Sequence, residues 1–323
     1  MDRRESLANR AAAGLVSNVD PPTARATEPP PPAQTMVRRE LGKTSRWLSP
    51  IGFGGIIVMD VTPAEAARYV GEAFERGVNY FDVAPSYGNA QERLGPALKP
   101  YRDRVFLAGK TAERDAAGAR KELDESLRRL QTDHLDLYQL HGLTSREEVE
   151  QAFAGGGAME VILKAREAGQ VRLLGFSAHS EEAAHAAMDR FDFDTILFPF
   201  NFITWHKGHF GPSVHQRAKE KGMGLLALKA MAHQQWPEAG RPASSPWDKC
   251  WYEPLAEAGP AALALRFTLN LPVTATLPPG HWPLFKLALE CVESGRLGPL
   301  TDDERERLRE LAETAAPIFS DHA

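Results

Sequence analysis

Four side chains that can handle protons or charge lie next to short apolar runs of the sequence. Asp82 ends VNYFD and Tyr87 follows five residues later, Lys110 ends VFLAGK, and His141 ends LDLYQLH. A tyrosine hydroxyl has a pKa of about 10, and a neighbouring ammonium lowers it by favouring the phenolate. We therefore expect Lys110 to lower the pKa of Tyr87, Asp82 to hold the lysine, and a neutral His141 to direct a substrate oxygen. This set of groups suits the protonation of an oxygen on which charge develops.

Each of these residues also has an ordinary structural interpretation when it is taken alone. Asp82 could cap a helix or belong to a turn. Lys110 could be a solvated strand end, and His141 could be a buried histidine with satisfied hydrogen bonds. The catalytic interpretation therefore depends on the elements that would bring the four side chains together.

The pattern after Val37 predicts eight strands that alternate strictly with helices. PIGFGGIIV is the first predicted strand, and Thr62 and Gly77 mark the start and end of the helix that follows it. Strict alternation implies parallel strands, and eight such units most naturally close into an α/β barrel of the (β/α)8 TIM type. MVRREL and SRWLSPI predict an N-terminal β-hairpin that caps one end, and TDDERERLRELAETAA predicts an extra C-terminal helix with a solvated, charged surface.

A doubly wound open sheet is the alternative fold, but it would favour a GxGxxG motif after an early strand, and no predicted strand ends in one. In a closed barrel the C-terminal ends of all strands meet at one face. Asp82, Lys110 and His141 end consecutive strands, and Ser177 ends the next one. The sequence therefore predicts a single cluster of these groups around one pit.

Composition and charge place the chain among ordinary water-soluble proteins. The 323 residues are 43% hydrophobic and 25% charged, with a formal net charge of −5. We therefore expect no nucleic-acid or membrane partner. The two cysteines, Cys250 and Cys291, are too few for a disulfide framework and fit a reducing, cytoplasmic environment. Three histidines, His206, His209 and His215, follow the sixth strand without a fourth ligand, so no metal site is expected.

The N-terminal part of the chain differs from the rest. Residues 1–35 contain the run DPPTARATEPPPPAQ and are predicted to be a disordered tail, while residues 36–323 form the barrel domain. Met36 is a candidate translation start. Arg3 and Arg4 faintly suggest a twin-arginine export signal, but Asn9 interrupts the apolar region that such a signal needs.

Several stretches together resemble the aldo-keto reductase family. FDVAPSYGNAQERLG is similar to the family signature, VFLAGK and LDLYQLH resemble its next two catalytic strands, and LGKTSRWLSPIGFGGI resembles its opening hairpin and first strand. The resemblance covers about Val37 to Pro317. It implies a barrel that binds NADPH, or alternatively NADH, without a metal. Hydride passes to the carbonyl carbon of a small aldehyde or ketone, and the tyrosine protonates the oxygen.

Carried over to this sequence, the resemblance makes Tyr87 the general acid, with Lys110 and Asp82 tuning it and His141 orienting the carbonyl. It also implies a set of cofactor-binding residues. This set is Gly54, Gly55, Ser177, Asn201, Lys229 and Gly280.

Some cofactor positions depart from the family pattern. Leu197 stands where a glutamine often contacts the carboxamide, and Ala178 where an asparagine often follows the serine. Leu228, or a neighbour in LLALKAM, stands where a tyrosine often stacks on the nicotinamide. Lys229 replaces a small residue and could itself bind the pyrophosphate. Two alternative functions stay open: a nicotinamide-nucleotide-binding regulatory or sensor subunit with vestigial turnover, and an NAD(P)-dependent sugar or alcohol dehydrogenase. The oligomeric state is not predicted.

A long connection rich in aromatic residues follows the seventh strand. It contains Trp236, Trp247, Trp251 and Tyr252. A connection of about 30 residues in a compact domain is usually functional or disordered, and the aromatic side chains favour an ordered lid. Together with Trp205 they could form the wall of a pocket for an apolar or aromatic carbonyl compound. They could equally do no more than attach the connection to the barrel.

Overall fold

The computed structural model describes residues 36–238, 240–295 and 297–320. The predicted disordered tail, residues 1–35, lies outside the described residues, and so do positions 239, 296 and 321–323. In the described part of the chain, every helix is too short or too polar to cross a lipid bilayer.

The strands and helices alternate along the chain as the sequence predicts. The strands are β1 (Arg39–Glu40), β2 (Trp47–Leu48), β3 (Phe53–Gly54), β4 (Tyr80–Asp82), β5 (Phe106–Thr111), β6 (Leu135–Leu143), β7 (Val171–Ala178), β8 (Thr195–Phe198), β9 (Gly224–Leu228), β10 (Ala232–Gln235), β11 (Tyr252–Pro254) and β12 (Ala275–Leu277). The α-helices are α1 (Pro63–Glu75), α2 (Ala90–Leu98), α3 (Ala116–Leu130), α4 (Arg146–Phe153), α5 (Ala158–Glu167), α6 (Glu181–Arg190), α7 (Phe202–His206), α8 (Pro212–Glu220), α9 (Ala258–Asn270), α10 (Trp282–Glu293) and α11 (Asp302–Thr314).

Eight of the strands form one parallel sheet with the order β12-β9-β8-β7-β6-β5-β4-β3. A parallel bridge between Ile51, just before β3, and Thr276 in β12 brings the two edges of the sheet together. The prediction of a (β/α)8 barrel is therefore confirmed. Because all eight strands run the same way, their C-terminal ends share one face, and the side chains that end them converge there.

The opposite end of the barrel is closed by the antiparallel hairpin of β1 and β2, as predicted. Leu41 and Leu48 of this hairpin are buried against Tyr80, Phe106 and other apolar side chains inside the barrel. A larger apolar layer lies between the strands and the surrounding helices. These side chains thus fill the N-terminal end of the barrel interior, and a cavity opens at its C-terminal mouth.

Local sequence signals explain where helices begin and end. Thr62 caps α1 through a capping box with Glu65, and Pro63 occupies the first turn, where its missing N–H is no loss. Gly77 follows α1 with a φ of 91°, a left-handed conformation that glycine adopts without a steric penalty. Both Thr62 and Gly77 were predicted for these roles.

Three elements differ from the prediction. The first strand covers only β3, because the chain turns into a 3-10 helix at Gly55–Val58 and buries Ile57 in the outer layer. Helix α11 is not simply solvated, since Leu308 and Ala312 are buried in a cluster with residues of α7 and α9. The long connection after β9 contains the antiparallel pair β10 and β11. We call residues 230–257 the lid segment.

Candidate active site

A cavity of about 260 Å³ opens at the C-terminal mouth of the barrel. Eight of the ten residues predicted to have functional roles line it. They are Gly54, Asp82, Tyr87, Lys110, His141, Ser177, Lys229 and Gly280. The other two, Gly55 and Asn201, do not line the cavity wall.

Asp82 and Lys110 form a buried ion pair at the floor of this cavity. Each side chain is 1% exposed, and Nζ of Lys110 donates a hydrogen bond to Oδ1 of Asp82. The second carboxylate oxygen, Oδ2, accepts hydrogen bonds from Nε2 of Gln139 at 3.0 Å and from the hydroxyl of Tyr80 at 3.3 Å. The neighbouring positions of β4 and β5 bring the two charged residues together, and these hydrogen bonds offset the cost of removing the carboxylate from water.

Tyr87 lies in the loop between β4 and α2, with its hydroxyl 3.5 Å from Nζ of Lys110. Burial raises the pKa of Tyr87; the charge of Lys110 opposes this rise, and the charge of Asp82 adds to it. The expected effect of Lys110 on this pKa is therefore confirmed in direction, but burial outweighs it and the net pKa of Tyr87 is raised. The physical reason is that Asp82 already balances the charge of Lys110, so too little of it remains to overcome burial.

The pKa values of Lys110 and His141 are shifted in opposite directions. Burial alone would lower the pKa of Lys110, but Asp82 and Tyr87 together outweigh it, and the net pKa is raised. Burial, helped by the charge of Lys110, lowers the pKa of His141 to about 3. At neutral pH the site therefore holds a charged Lys110, a neutral His141 and a protonated Tyr87.

His141 faces Tyr87 across the cavity. The two rings are 5.7 Å apart between centroids and nearly perpendicular, at 83°. The backbone of His141 is fixed, since its carbonyl accepts a hydrogen bond of 2.7 Å from the guanidinium of Arg114. A carbonyl oxygen placed between the two rings could meet the hydroxyl of Tyr87 on one side and the imidazole of His141 on the other.

Ser177 and the two cavity glycines lie further along the wall. The hydroxyl oxygen of Ser177 accepts a hydrogen bond from the backbone N–H of Gly142 at 2.8 Å, which leaves its own hydrogen free to donate. A Cβ atom at Gly280 would come within 2.3 Å of Cγ2 of Ile56, whereas one at Gly54 would meet nothing within 4 Å. At Gly55 a Cβ atom would lie 2.6 Å from Val83, so this glycine is required by packing outside the cavity.

Asn201 has a structural position behind the cavity wall. Its Oδ1 caps α7 by accepting hydrogen bonds from two backbone N–H groups, and its Nδ2 donates to the carbonyls of Lys229 at 2.9 Å and Ala232 at 2.8 Å. Both polar atoms of the Asn201 side chain are therefore hydrogen-bonded within the protein. Asn201 acts on the cavity only through the backbone of Lys229.

Lys229 projects into the cavity from a strained backbone. Its φ is 67°, and its Nζ lies 5.4 Å from the ring centroid of Trp251 and 5.0 Å from that of Tyr252. Burial lowers its pKa to about 8. The lid segment thus supplies two aromatic faces to the one cavity lysine that was predicted from sequence to contact the cofactor.

The lid segment is attached across the cavity mouth by Lys249. Its Nζ donates hydrogen bonds to the carbonyls of Ile56 at 3.2 Å and Met59 at 2.6 Å. Only Trp251 and Tyr252 of the predicted aromatic wall line the cavity. Trp236 and Trp247 instead lie beside a separate surface cavity.

The remaining member of the predicted wall, Trp205, packs against His215 and Phe267, away from the cavity. In the described residues, no group of three or more His, Cys, Asp or Glu side chains is placed to hold a metal ion.

Sequence reasoning missed Tyr80, Gln139, His179 and Lys249. Tyr80 stands two residues before Asp82 and Gln139 two before His141, so strand alternation places each on the same side as the predicted residue. That alternation was a signal that could have found them. Lys249 and His179 carry no comparable pattern.

The comparisons with known proteins identify the family to which the chain belongs. The model of the aldo/keto reductase family matches residues 50–313. Aldo-keto reductase YhdN of Bacillus subtilis is 36% identical over 145 residues, which make up 41% of this chain and 42% of YhdN. L-galactose dehydrogenase of Arabidopsis thaliana is 27% identical over 231 residues, 64% of this chain and 69% of that protein. The match to YhdN spans less than half the length of that relative.

A solved structure shares the fold over most of the chain. Aldo-keto reductase AKR11C1 from Bacillus halodurans, in its holo form, superposes with a TM-score of 0.67 at 24% sequence identity. The superposition covers 88% of this chain and 99% of that structure. At this level of identity the likeness shows a common fold.

Proposed function

The chain belongs to the aldo/keto reductase family, and on that premise we propose that it reduces the carbonyl group of a small aldehyde or ketone with a nicotinamide cofactor. The observation that carries the proposal is the position of the Tyr87 hydroxyl, 3.5 Å from the ammonium of a lysine that is itself paired with Asp82. A proton donor is thereby held at the mouth of a cavity that also contains a neutral imidazole.

The residues along the wall fit the nicotinamide end of such a cofactor. The free hydroxyl hydrogen of Ser177 can donate to a carboxamide oxygen, and Leu197 and Leu228 offer an apolar surface for a ring. Gly54 leaves open space at the wall, and Gly280 keeps the backbone close to Ile56. The bound cofactor supplies the hydride. The family resemblance favours NADPH, and NADH is the comparison that tests this preference.

The protein's own residues handle the substrate oxygen. His141 donates a hydrogen bond to the carbonyl oxygen and sets the direction of the carbonyl group. Tyr87 gives its proton to the same oxygen as negative charge develops there. Lys110 stabilises the phenolate that is left, and Asp82 keeps Lys110 charged and in place.

The raised pKa of Tyr87 supports reduction as the direction in which the site works. Reduction needs the protonated tyrosine, which burial favours, whereas oxidation of an alcohol needs the phenolate. We therefore expect no change in the reduction rate from ionisation of Tyr87 at pH values below its ordinary pKa of about 10. Oxidation of a sugar or alcohol is the second candidate, supported by the similarity to L-galactose dehydrogenase. The ratio of forward to reverse kcat at pH 7 decides between the two.

The test follows cofactor absorbance with a panel of aldehydes and ketones. Tyr87→Phe should lower kcat by at least a hundredfold, since it removes the general acid. Tyr69→Phe is the matched control, because Tyr69 stacks on Trp282 outside the cavity and its change should leave kcat unaltered. Equal activity of Tyr87→Phe and the unaltered protein would contradict the assigned mechanism.

A fluorescence titration with NADPH and NADH tests cofactor binding separately. Binding of NADPH without turnover of any carbonyl compound would favour the regulatory or sensor alternative. Leu197 and Leu228 motivate that alternative, since Leu197 cannot hydrogen-bond a carboxamide and Leu228 has no aromatic face to stack on a nicotinamide ring.

A further inference from the structure

Three lysines line the cavity, and two of them have partners within the protein. Lys110 is paired with Asp82, and Lys249 donates to two backbone carbonyls. The ammonium of Lys229 makes no hydrogen bond or ion pair with any residue that the structure describes; it is contacted by the rings of Trp251 and Tyr252. The cavity therefore contains a cation with unused hydrogen-bond donors.

The backbone holds Lys229 in a conformation that side chains other than glycine seldom adopt. Its φ is 67°, and its carbonyl accepts hydrogen bonds from Nδ2 of Asn201 at 2.9 Å and from the N–H of Ala232 at 2.8 Å. The two aromatic faces favour the charged form of the amine. The fold thus holds the backbone from which this side chain projects, and the two rings contact its ammonium.

Among the described residues of the cavity wall, no negative charge is left to balance Lys229. Asp82 is the only carboxylate among the described residues of the cavity wall, and Lys110 already neutralises it. His141 and His179 are neutral at pH 7, because burial lowers their pKa values to about 3 and about 4. The cavity therefore has a surplus of positive charge.

We propose that Lys229 binds an anionic group of the substrate, so that the preferred carbonyl compounds carry a carboxylate. This inference rests on the function proposed above. An ammonium offers three donors to anionic oxygens, and a charge-assisted hydrogen bond is about twice as strong as a neutral one. The faces of Trp251 and Tyr252 would contact the carbon skeleton that joins the carboxylate to the carbonyl group.

The position of Lys229 favours the substrate over the pyrophosphate of the cofactor. Its positive charge helps to lower the pKa values of both His141 and His179, and Lys110 in turn helps to lower the pKa of Lys229. Lys229, His141 and Tyr87 line one cavity, so the anionic group of a substrate could contact Lys229 while its carbonyl oxygen meets His141 and Tyr87. A cofactor phosphate is the other source of an anionic group, and the experiment separates the two.

The test measures binding of two unreactive probes by calorimetry, with and without saturating NADP⁺. The probes are 4-methylbenzoate and its neutral analogue 4-methylbenzamide. Lys229→Met should weaken 4-methylbenzoate binding roughly tenfold or more, because the contact between ammonium and carboxylate is lost. Its affinity for 4-methylbenzamide should change by less than about twofold. Lys229→Arg should retain most of the affinity for the benzoate. Lys43→Met, on the exposed N-terminal hairpin, is the control and should change neither value.

Three outcomes would overturn the proposal. The unaltered protein could fail to bind 4-methylbenzoate, Lys229→Met could lose affinity equally for both probes, or Lys229→Met could keep its affinity for both. A tenfold weakening of NADP⁺ binding with unchanged benzoate binding would also overturn it and would assign Lys229 to the cofactor phosphate. Failure of NADP⁺ to bind at all would count against the proposed function, while the titration without cofactor would still test Lys229.

A kinetic measurement gives an independent readout. The ratio of kcat/KM for 4-carboxybenzaldehyde to that for its methyl ester should fall roughly tenfold or more in Lys229→Met, mainly through KM of the acid. An unchanged ratio would contradict the role of Lys229 in substrate recognition.

Discussion

The side-chain amide of Gln139 donates a hydrogen bond of 3.0 Å to Oδ2 of Asp82, the carboxylate oxygen that does not face Lys110. Gln139 lies on β6 and is fully buried, so water cannot replace it. The contact fixes the rotation of the carboxylate and thereby the direction in which Oδ1 meets the ammonium. Gln139 is a positioning residue in the proposed reaction, since it acts on Tyr87 only through Asp82 and Lys110.

Replacing Gln139 should distinguish its effect on catalysis from its effect on protein stability. Gln139→Leu removes a hydrogen bond to a charged group, so we expect stability to fall by about 1–3 kcal/mol and kcat to fall roughly tenfold with little change in KM. Gln91→Leu is the matched control, because Gln91 is also buried, donates to Ser126 at 2.8 Å and does not line the cavity. Urea denaturation and steady-state kinetics check both variants. An equal loss of kcat in the two would show that Gln139 acts only through stability.

The ion pair of Lys110 and Asp82 should behave as a unit in unfolding experiments. Lys110→Met leaves a carboxylate that is 1% exposed without its partner, and such a change typically costs about 3–5 kcal/mol. The double variant Lys110→Met with Asp82→Asn should be more stable than Lys110→Met alone, because no uncompensated charge remains. Neither variant should reduce carbonyl compounds. Additive losses in urea denaturation would mean that the two charges do not depend on each other.

The sequence predicted the barrel and the convergence of the four central groups for a simple physical reason. Strict alternation of strands and helices leaves few topologies, and a parallel barrel brings every strand end to one face. Asp82, Lys110 and His141 needed only the correct strand order to lie near one another, and that order follows from the chain itself.

Other features depended on distances that no pattern encodes. The direction of the Tyr87 shift is a balance between burial and two opposite charges, and it required the separation of each pair. Asn201 was expected at the cofactor, but its amide is used by the backbone around Lys229. The lid segment has no repeat or periodicity, so the sequence could not separate Trp251, which lines the cavity, from Trp247, which does not.

His141 should make stability depend on pH in a defined window. Its pKa is lowered to about 3 by burial, against about 6.5 in an unfolded chain, so between these values the unfolded chain binds a proton that the native protein does not. The contribution of His141 to the free energy of unfolding is therefore fully present above about pH 6.5 and is lost as the pH falls toward 3. Between pH 7 and pH 5, the loss of stability of His141→Asn should be about 2 kcal/mol smaller than that of the unaltered protein.

Urea denaturation at the two pH values measures this difference. His209→Asn is the control, because His209 is exposed outside the cavity, and it should lose as much stability as the unaltered protein. A loss in His141→Asn equal to that of the control would contradict the assignment of a neutral, buried His141.

Two hydrogen bonds of Lys249 attach the lid segment, so their loss should make local opening of this segment more frequent. Lys249→Met keeps the apolar stem but loses both hydrogen bonds to the carbonyls of Ile56 and Met59, on the opposite side of the cavity mouth. Because hydrogen bonds to charged groups are worth about 1.5–3 kcal/mol, amide hydrogen exchange in residues 240–254 should become roughly tenfold faster or more. Exchange in the barrel strands should stay unchanged. The control variant Lys43→Met should leave the exchange rates of the lid segment and of the barrel strands unchanged. If exchange in the lid segment kept its original rate, Lys249 would not be what holds this segment over the cavity.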